Sequence, residues 1–119
     1  MPDRRFPPAV YGVGEEPDPR FSMANERTFL AWVRTALALI AAGVAIEALE
    51  LPVHPGLRAA AATVFAVLGL AAAAQAWMGW WRTEKAMRLR RPLPGPGLGA
   101  LIVAGVFTAA LLLLIGWLV

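Results

Sequence analysis

The sequence predicts an all-α membrane protein with three transmembrane helices per chain, assembled as a ring-like homo-oligomer. Three observations carry this reading. Apolar residues fill 59% of the 119 positions, against about 45–50% in ordinary soluble domains, and mean hydropathy is +0.60. The excess falls into three blocks, each long enough to cross a hydrocarbon core of about 30 Å, with proline- and glycine-bearing breaks between them. Lysine and arginine flank these blocks unevenly, as the positive-inside rule requires of a membrane protein. The ring is the sharper reading of the basic residues at the inner ends of these blocks, because arginine and lysine rings that gather anions need several copies.

Residues 1–24 read as a polar, proline-rich tail (Pro2, Pro7, Pro8, Pro17 and Pro19 among charges), mostly irregular. No secretory leader is expected, because the first apolar block begins only after about two dozen polar residues. Residues 25–119 read as the transmembrane domain. Asn25 is of a type that caps helices, and Glu26 suits the first turn of a helix dipole. The first helix is placed at about 26–49 and is broken by Pro52, Pro55 and Gly56. The second runs from about 57 to 88, its last turns beyond the membrane, and ends before Pro92-Leu93-Pro94-Gly95. The third takes about 98–119. No stretch is left for a soluble catalytic domain.

Orientation follows from the basic residues. The tail and first turn hold Arg4, Arg5, Arg20 and Arg27. The second connection holds Arg82, Lys85, Arg88, Arg90 and Arg91. The first connection has only Arg58, with Glu47 and Glu50 nearby. This places the amino terminus and second connection in the cytoplasm, within a cell inner membrane, and the carboxyl terminus outside. Trp32, Trp77, Trp80 and Trp81 suit an inner interfacial belt and Trp117 an outer one. The net charge of +3 is explained by orientation, and no nucleic-acid partner is expected.

Several polar groups could carry function. Arg27, Ala31, Arg34, Ala38, Ala41 and Ala45 share one helical stripe, and small residues there would allow close packing. Phe29, Trp32, Val33 and Ile40 on the other side suit lipid. Arg34 lies about 10 Å above Arg27, so it either snorkels to headgroups or faces protein or a pore. Gln75 precedes Arg82 by seven residues on an antiparallel helix, which sets Arg34 level with Gln75 and Arg27 level with Arg82. Gln75 is either interhelical glue or part of that polar layer. The collar of Arg20, Arg27, Arg82, Lys85, Arg88, Arg90 and Arg91 either attracts anionic lipid or, in several copies, gathers anions at a pore mouth. Thr108 is expected to bond its own backbone. Glu47, Glu50, His54 and Arg58 read as outer-surface salt bridging, since one histidine with two carboxylates matches no metal-site spacing.

The chain has no cysteine, so disulfides and thiolate metal sites are excluded. It shows no nucleophile–base pair, phosphate loop or paired catalytic carboxylates. No enzymatic activity, cofactor or resident metal is expected.

Asp18-Pro19-Arg20, then Ala24-Asn25-Glu26-Arg27-Thr28-Phe29-Leu30-Ala31-Trp32-Val33-Arg34-Thr35-Ala36-Leu37-Ala38-Leu39, and the ending Arg90-Arg91-Pro92-Leu93 together resemble the YidH family of small bacterial membrane proteins, which carry a domain of unknown function. The resemblance runs from about Asp18 to the end, and Asn25 to Leu30 is its specific core. The same domain is similar to the transmembrane part of the vacuolar transporter chaperone complex, where three-helix subunits ring a path for polyphosphate. That likeness implies a conduit role for Arg20, Glu26, Arg27 and Arg82. Arg34 departs from the vacuolar pattern, and the polymerase and phosphate-sensing domains are absent from this sequence.

The leading expectation is therefore an oligomer of three to five copies with a basic cytoplasmic mouth, serving as a channel or conduit for phosphate or polyphosphate. Arg20, Glu26, Arg27, Arg34, Gln75, Arg82 and Lys85 would bind the anion or line the path. Expected partners are the bilayer, other copies of the chain, and anionic lipid or a phosphate-type anion. The alternative is a non-conducting scaffold or accessory subunit in a larger membrane complex, with the motif as a structural clasp.

Overall fold

The computed structural model describes residues 3–95 and 97–119. Four helices follow in order: α1 (Pro8–Tyr11), α2 (Pro19–Ala48), α3 (Pro55–Arg88) and α4 (Gly97–Leu118). No strand occurs among the described residues. Helices α2, α3 and α4 are each long and apolar enough to span a membrane. Placing backbone polar groups in hydrocarbon requires that they be satisfied internally, which a helix does.

Helix α2 starts seven residues before the expected position. Asp18, not Asn25, is the cap: its carboxylate accepts from the Arg20 N–H at 2.9 Å, and Pro19 takes the first helical position, where its missing N–H costs nothing. Asn25 is instead mid-helix and buried. Helix α3 is capped by His54, whose Nδ1 accepts from Gly56 N–H (3.1 Å) and Leu57 N–H (3.4 Å). It ends in a Schellman turn, with Arg91 N–H on Ala86 O at 2.8 Å and Arg90 in the left-handed region at φ 55°, a position glycine usually holds. Arg58 lies beside Glu47 (3.9 Å), so the end opposite the basic collar carries the expected ion pair, while His54 serves the helix terminus. Thr108 donates to Ala104 O at 2.8 Å, within its own helix.

Helix α3 is the centre of the fold. Both α2 and α4 pack on it, and no α2 Cα comes within 8 Å of an α4 Cα. The molecule is 64 × 25 × 20 Å. The core joins Ala36 and Leu39 of α2 to Leu68 and Ala72 of α3, with Trp32 and Ile102 against it. Close approach needs glycine at two places. A Cβ on Gly69 would stand 2.5 Å from Ile40 Cγ1 and 3.2 Å from Ala36 O, and one on Gly105 would meet Leu68 at 2.6 Å. Small residues at helix crossings are the usual device in membranes. Gly69→Ala should therefore cost about 1–3 kcal/mol, the range for overpacking, read as a lower unfolding midpoint in detergent.

The packing corrects the expected faces of α2. Trp32 and Ile40 turn toward α3 rather than lipid. The stripe expected to pack on protein or line a cavity, Arg27, Ala31, Arg34, Ala38, Ala41 and Ala45, does not pack on its own chain: it is exposed and lies on the far side of α2 from its contacts Ala36, Leu39, Gly43 and Ile46. Helical spacing puts Arg34 about 180° from Asn25.

Candidate functional site

Chemistry concentrates at the basic end of the helices. Three arrangements meet there: a clasp between α2 and α3, a latch holding the tail, and a ladder of arginines.

The clasp is built on Glu84, only 2% exposed. Ser22 Oγ donates to its Oε1 at 2.6 Å. Asn25 Nδ2 donates to its Oε2 at 3.0 Å and to Trp80 O at 3.1 Å. Asn25 is itself 5% exposed. A buried carboxylate must be hydrogen-bonded or paired to remain buried, and here neutral donors from α2 supply the bonds. The clasp therefore fixes the register of α2 against α3.

The latch is built on Arg88, 6% exposed. Its Nε donates to Val13 O (2.8 Å), Nη2 to Tyr11 O (3.0 Å) and Nη1 to Glu16 (3.1 Å). Its backbone carbonyl accepts from Glu15 N–H at 3.0 Å. Gly14, at φ +62°, makes this approach possible, because a Cβ there would run into the Arg88 carbonyl. Arg90 pairs with Glu15 at 2.8 Å, and Val10 is fully buried. The tail, expected to be mostly irregular, is thus docked on the overhanging end of α3. Arg5 ties it internally, pairing with Asp3 and Glu16, both at 2.7 Å, and lying 4.3 Å over the Tyr11 ring.

These pairs set a pH dependence. Arg5 first, and Arg88 second, hold the Glu16 carboxyl at about 2, below its ordinary 4.5. Arg5 likewise holds Asp3 at about 2. Glu16 is the carboxyl that joins the tail to α3, through Arg88, so docking is fully favoured above its ordinary value and weakens as pH falls toward 2, while the Asp3–Arg5 pair orders the tail itself. Fluorescence of the tryptophans under the tail should change between about pH 4.5 and 2, and added salt should raise that midpoint by screening the exposed Arg5 pairs.

The ladder follows from the early start of α2. Arg20, Arg27 and Arg34 are seven residues apart on one continuous helix, so they share a face at steps of about 10 Å. All three are exposed. Arg20 also pairs with Asp18 at 2.8 Å. A seven-residue spacing was visible in the sequence, but placing Arg20 off the helix hid its membership.

The remaining expected residues lie elsewhere. Glu26 is exposed, next to Arg27 in sequence but turned away from it, since adjacent helical residues do not face each other. It borders a cavity with Trp77 and Trp80. Gln75 and Arg82 line a groove of about 340 Å³ with Asn25, Thr28, Thr83 and Leu98. The Gln75 amide folds over Gly79. Arg34 is on the far side of α2, so it and Gln75 do not meet within one chain. Lys85 is half-buried in a depression with Trp81, Leu89 and Arg91. Glu84 was missed as a site residue. Its signal was a lone acid within the basic segment, four residues before Arg88.

No group of three or more histidine, cysteine, aspartate and glutamate side chains suited to a metal occurs among the described residues. No solved structure matches the chain. The chain is 47% identical to the inner membrane protein YidH of Escherichia coli over 83 residues, covering 69% of this chain and 72% of that protein. It is also 47% identical to the uncharacterised protein Rv2272 of Mycobacterium tuberculosis over 103 residues, 81% of this chain and 84% of that one. Residues 20–86, which contain the ladder and the clasp, match the domain of unknown function DUF202. The chain belongs to the YidH family of multi-pass inner-membrane proteins, within the DUF202 domain class.

Proposed function

We propose that this chain is the repeating subunit of a homo-oligomer, amino terminus in the cytoplasm, in which α2 faces the axis and Arg20, Arg27 and Arg34 pass a phosphate-type anion. The observation that carries this is the ladder: it lies opposite the α3-packing face, with nothing from its own chain over it. An intramembrane arginine is costly toward lipid. Helix α4 is the contrasting element, with mean hydropathy 2.7 in its most apolar window and no charge, and it suits lipid. Turning α2 inward and α4 outward satisfies both. Several copies would then stack arginine rings, which select anions in pores, while alanines between them leave room. The likeness to the vacuolar complex supports the same direction. The arrangement needs no enzymatic step.

In liposomes, Arg34→Ala and Arg27→Ala should each cut phosphate or short polyphosphate flux at least about tenfold, the factor corresponding to about 1.4 kcal/mol of lost interaction. Flux equal to wild type in both, with the oligomer intact, would remove the conduit. The second reading, a non-conducting scaffold, is favoured by one observation: Asn25, from the family's most specific segment, is committed to the intrachain clasp. Co-purification of a second membrane protein, with no flux from wild type, would select it.

A further inference from the structure

A second cavity at the basic end has the opposite character from the ladder, and it lies between the docked tail, α2 and α3. Its volume is about 400 Å³. Trp77 and Trp80 of α3 stack at 5.4 Å between centroids. The tail adds Phe6, 6.1 Å from Trp77, and Tyr11, 6.1 Å from Trp80. Phe29 of α2 completes the aromatic lining, and the only ionisable side chains besides Tyr11 that line it are the acids Glu26 and Glu84. No lysine or arginine contributes to the walls. Glu84 is buried, held by Ser22 and Asn25 alone, and among the described residues no cationic nitrogen stands within ion-pair distance of it. A buried carboxylate is held by hydrogen bonds or by a cation, and Glu84 has the two neutral donors while its charge is unmatched.

We propose that this chamber binds an alkylammonium group. Aromatic faces attract such cations through the ring quadrupole, and enclosure by several rings is the usual design for methylated or quaternary ammonium. Glu84 at the base and Glu26 at the rim would supply the counter-charge. The chamber is too wide for a bare divalent ion, which needs oxygens at about 2.0–2.6 Å on most sides. Tryptophans at this level also anchor proteins at the membrane interface, but anchoring requires neither the buried acid nor two rings delivered by the tail. Arg5 and Arg88 already stand over the Tyr11 ring, at 4.3 and 5.5 Å from its centroid, so Trp77, Trp80, Phe6 and Phe29 are the rings left for the ligand. The group could arrive on a soluble amine or on a lipid headgroup, since tryptophans of this kind stand at the membrane interface in the proposed orientation.

The test uses the full chain in nanodiscs of phosphatidylglycerol. Tetramethylammonium and ethanolamine are titrated by calorimetry. In parallel, native mass spectrometry follows lipid retained from an equal mixture of phosphatidylethanolamine and phosphatidylglycerol. Saturable binding of a soluble probe assigns a free amine. Selective retention of phosphatidylethanolamine, displaced by the probes, assigns the headgroup. In either case Trp77→Leu, Phe6→Ala and Glu26→Gln should weaken binding about tenfold each, Glu84→Gln more, and Arg34→Ala not at all. Because Glu84→Gln also perturbs the clasp, the three rim variants carry the decision. Absence of both probe binding and selective retention, or rim variants indistinguishable from wild type, would overturn the assignment.

Discussion

Replacing Arg88 with alanine should release the tail while leaving the three spanning helices in place. Arg88 makes three side-chain hydrogen bonds to the tail, two of them to backbone carbonyls. Bonds to charged groups are worth about 1.5–3 kcal/mol each when buried. Undocking lets water satisfy the freed carbonyls, so the net shift in the docking equilibrium should be about 2–4 kcal/mol. Trypsin cleavage after Arg20 should accelerate by at least about tenfold, and tryptophan emission should red-shift as Phe6 and Tyr11 leave Trp77 and Trp80. Gly14→Val is the independent check: it leaves Arg88 intact but places a branched side chain against the Arg88 carbonyl, at a φ that β-branched residues avoid. Both variants should release the same segment. Protection equal to wild type in both would show that the latch does not hold the tail.

Replacing Asn25 with leucine should be the most damaging single change within the helices. It removes the donor to Glu84 Oε2 and to Trp80 O and leaves a buried carboxylate with Ser22 as its one side-chain donor. The expected cost is about 2–3 kcal/mol, the penalty for a buried charged group left under-satisfied. The unfolding midpoint in detergent should fall well below that of Thr28→Ala, whose hydroxyl bonds only its own helix at Ala24 O. Adding Glu84→Leu should recover part of the loss, because replacing both partners of a buried polar pair by apolar groups is far less costly than removing one. An additive double variant would show that the two side chains act separately.

The three spans were legible because the bilayer imposes a length and a hydropathy that local sequence must meet. Their internal facing was not. In water, the apolar face of a helix must turn inward. In lipid, both the alanine stripe and the Trp32 and Ile40 side are acceptable to hydrocarbon, so composition does not decide which one meets the neighbouring helix. Gly69 decides it, since only a bare backbone lets Ile40 approach, and that constraint crosses 29 residues of sequence. The start of α2 was misread for a related reason. Asp18-Pro19 is a capping signal as good as Asn25, but it precedes the apolar periodicity that the eye follows. Placing the start correctly brings Arg20 into register with Arg27 and Arg34. Glu84 and Arg88 were hidden by the positive-inside pattern, in which a basic segment is already explained by orientation. Burial separates Arg88 from Arg90 and Arg91, which sequence alone treats alike.

In the proposed assembly the arginine face of α2 stands in water enclosed by neighbouring copies. The chain lacks cysteine, so single cysteines report cleanly. Substituting Ala31, Ala38 and Ala45 in turn, and Leu37 and Val44 as flanking comparisons, then treating intact membranes with a charged thiol reagent, reads the environment along the helix. A water-filled arginine face gives fast labelling at Ala31→Cys and Ala38→Cys, slow labelling at Leu37→Cys and Val44→Cys, and protection of the Ala38→Cys site by phosphate or polyphosphate. Uniformly slow labelling along α2, with Ala38→Cys reacting only with a lipid-soluble reagent, would place that face in hydrocarbon and contradict the claim.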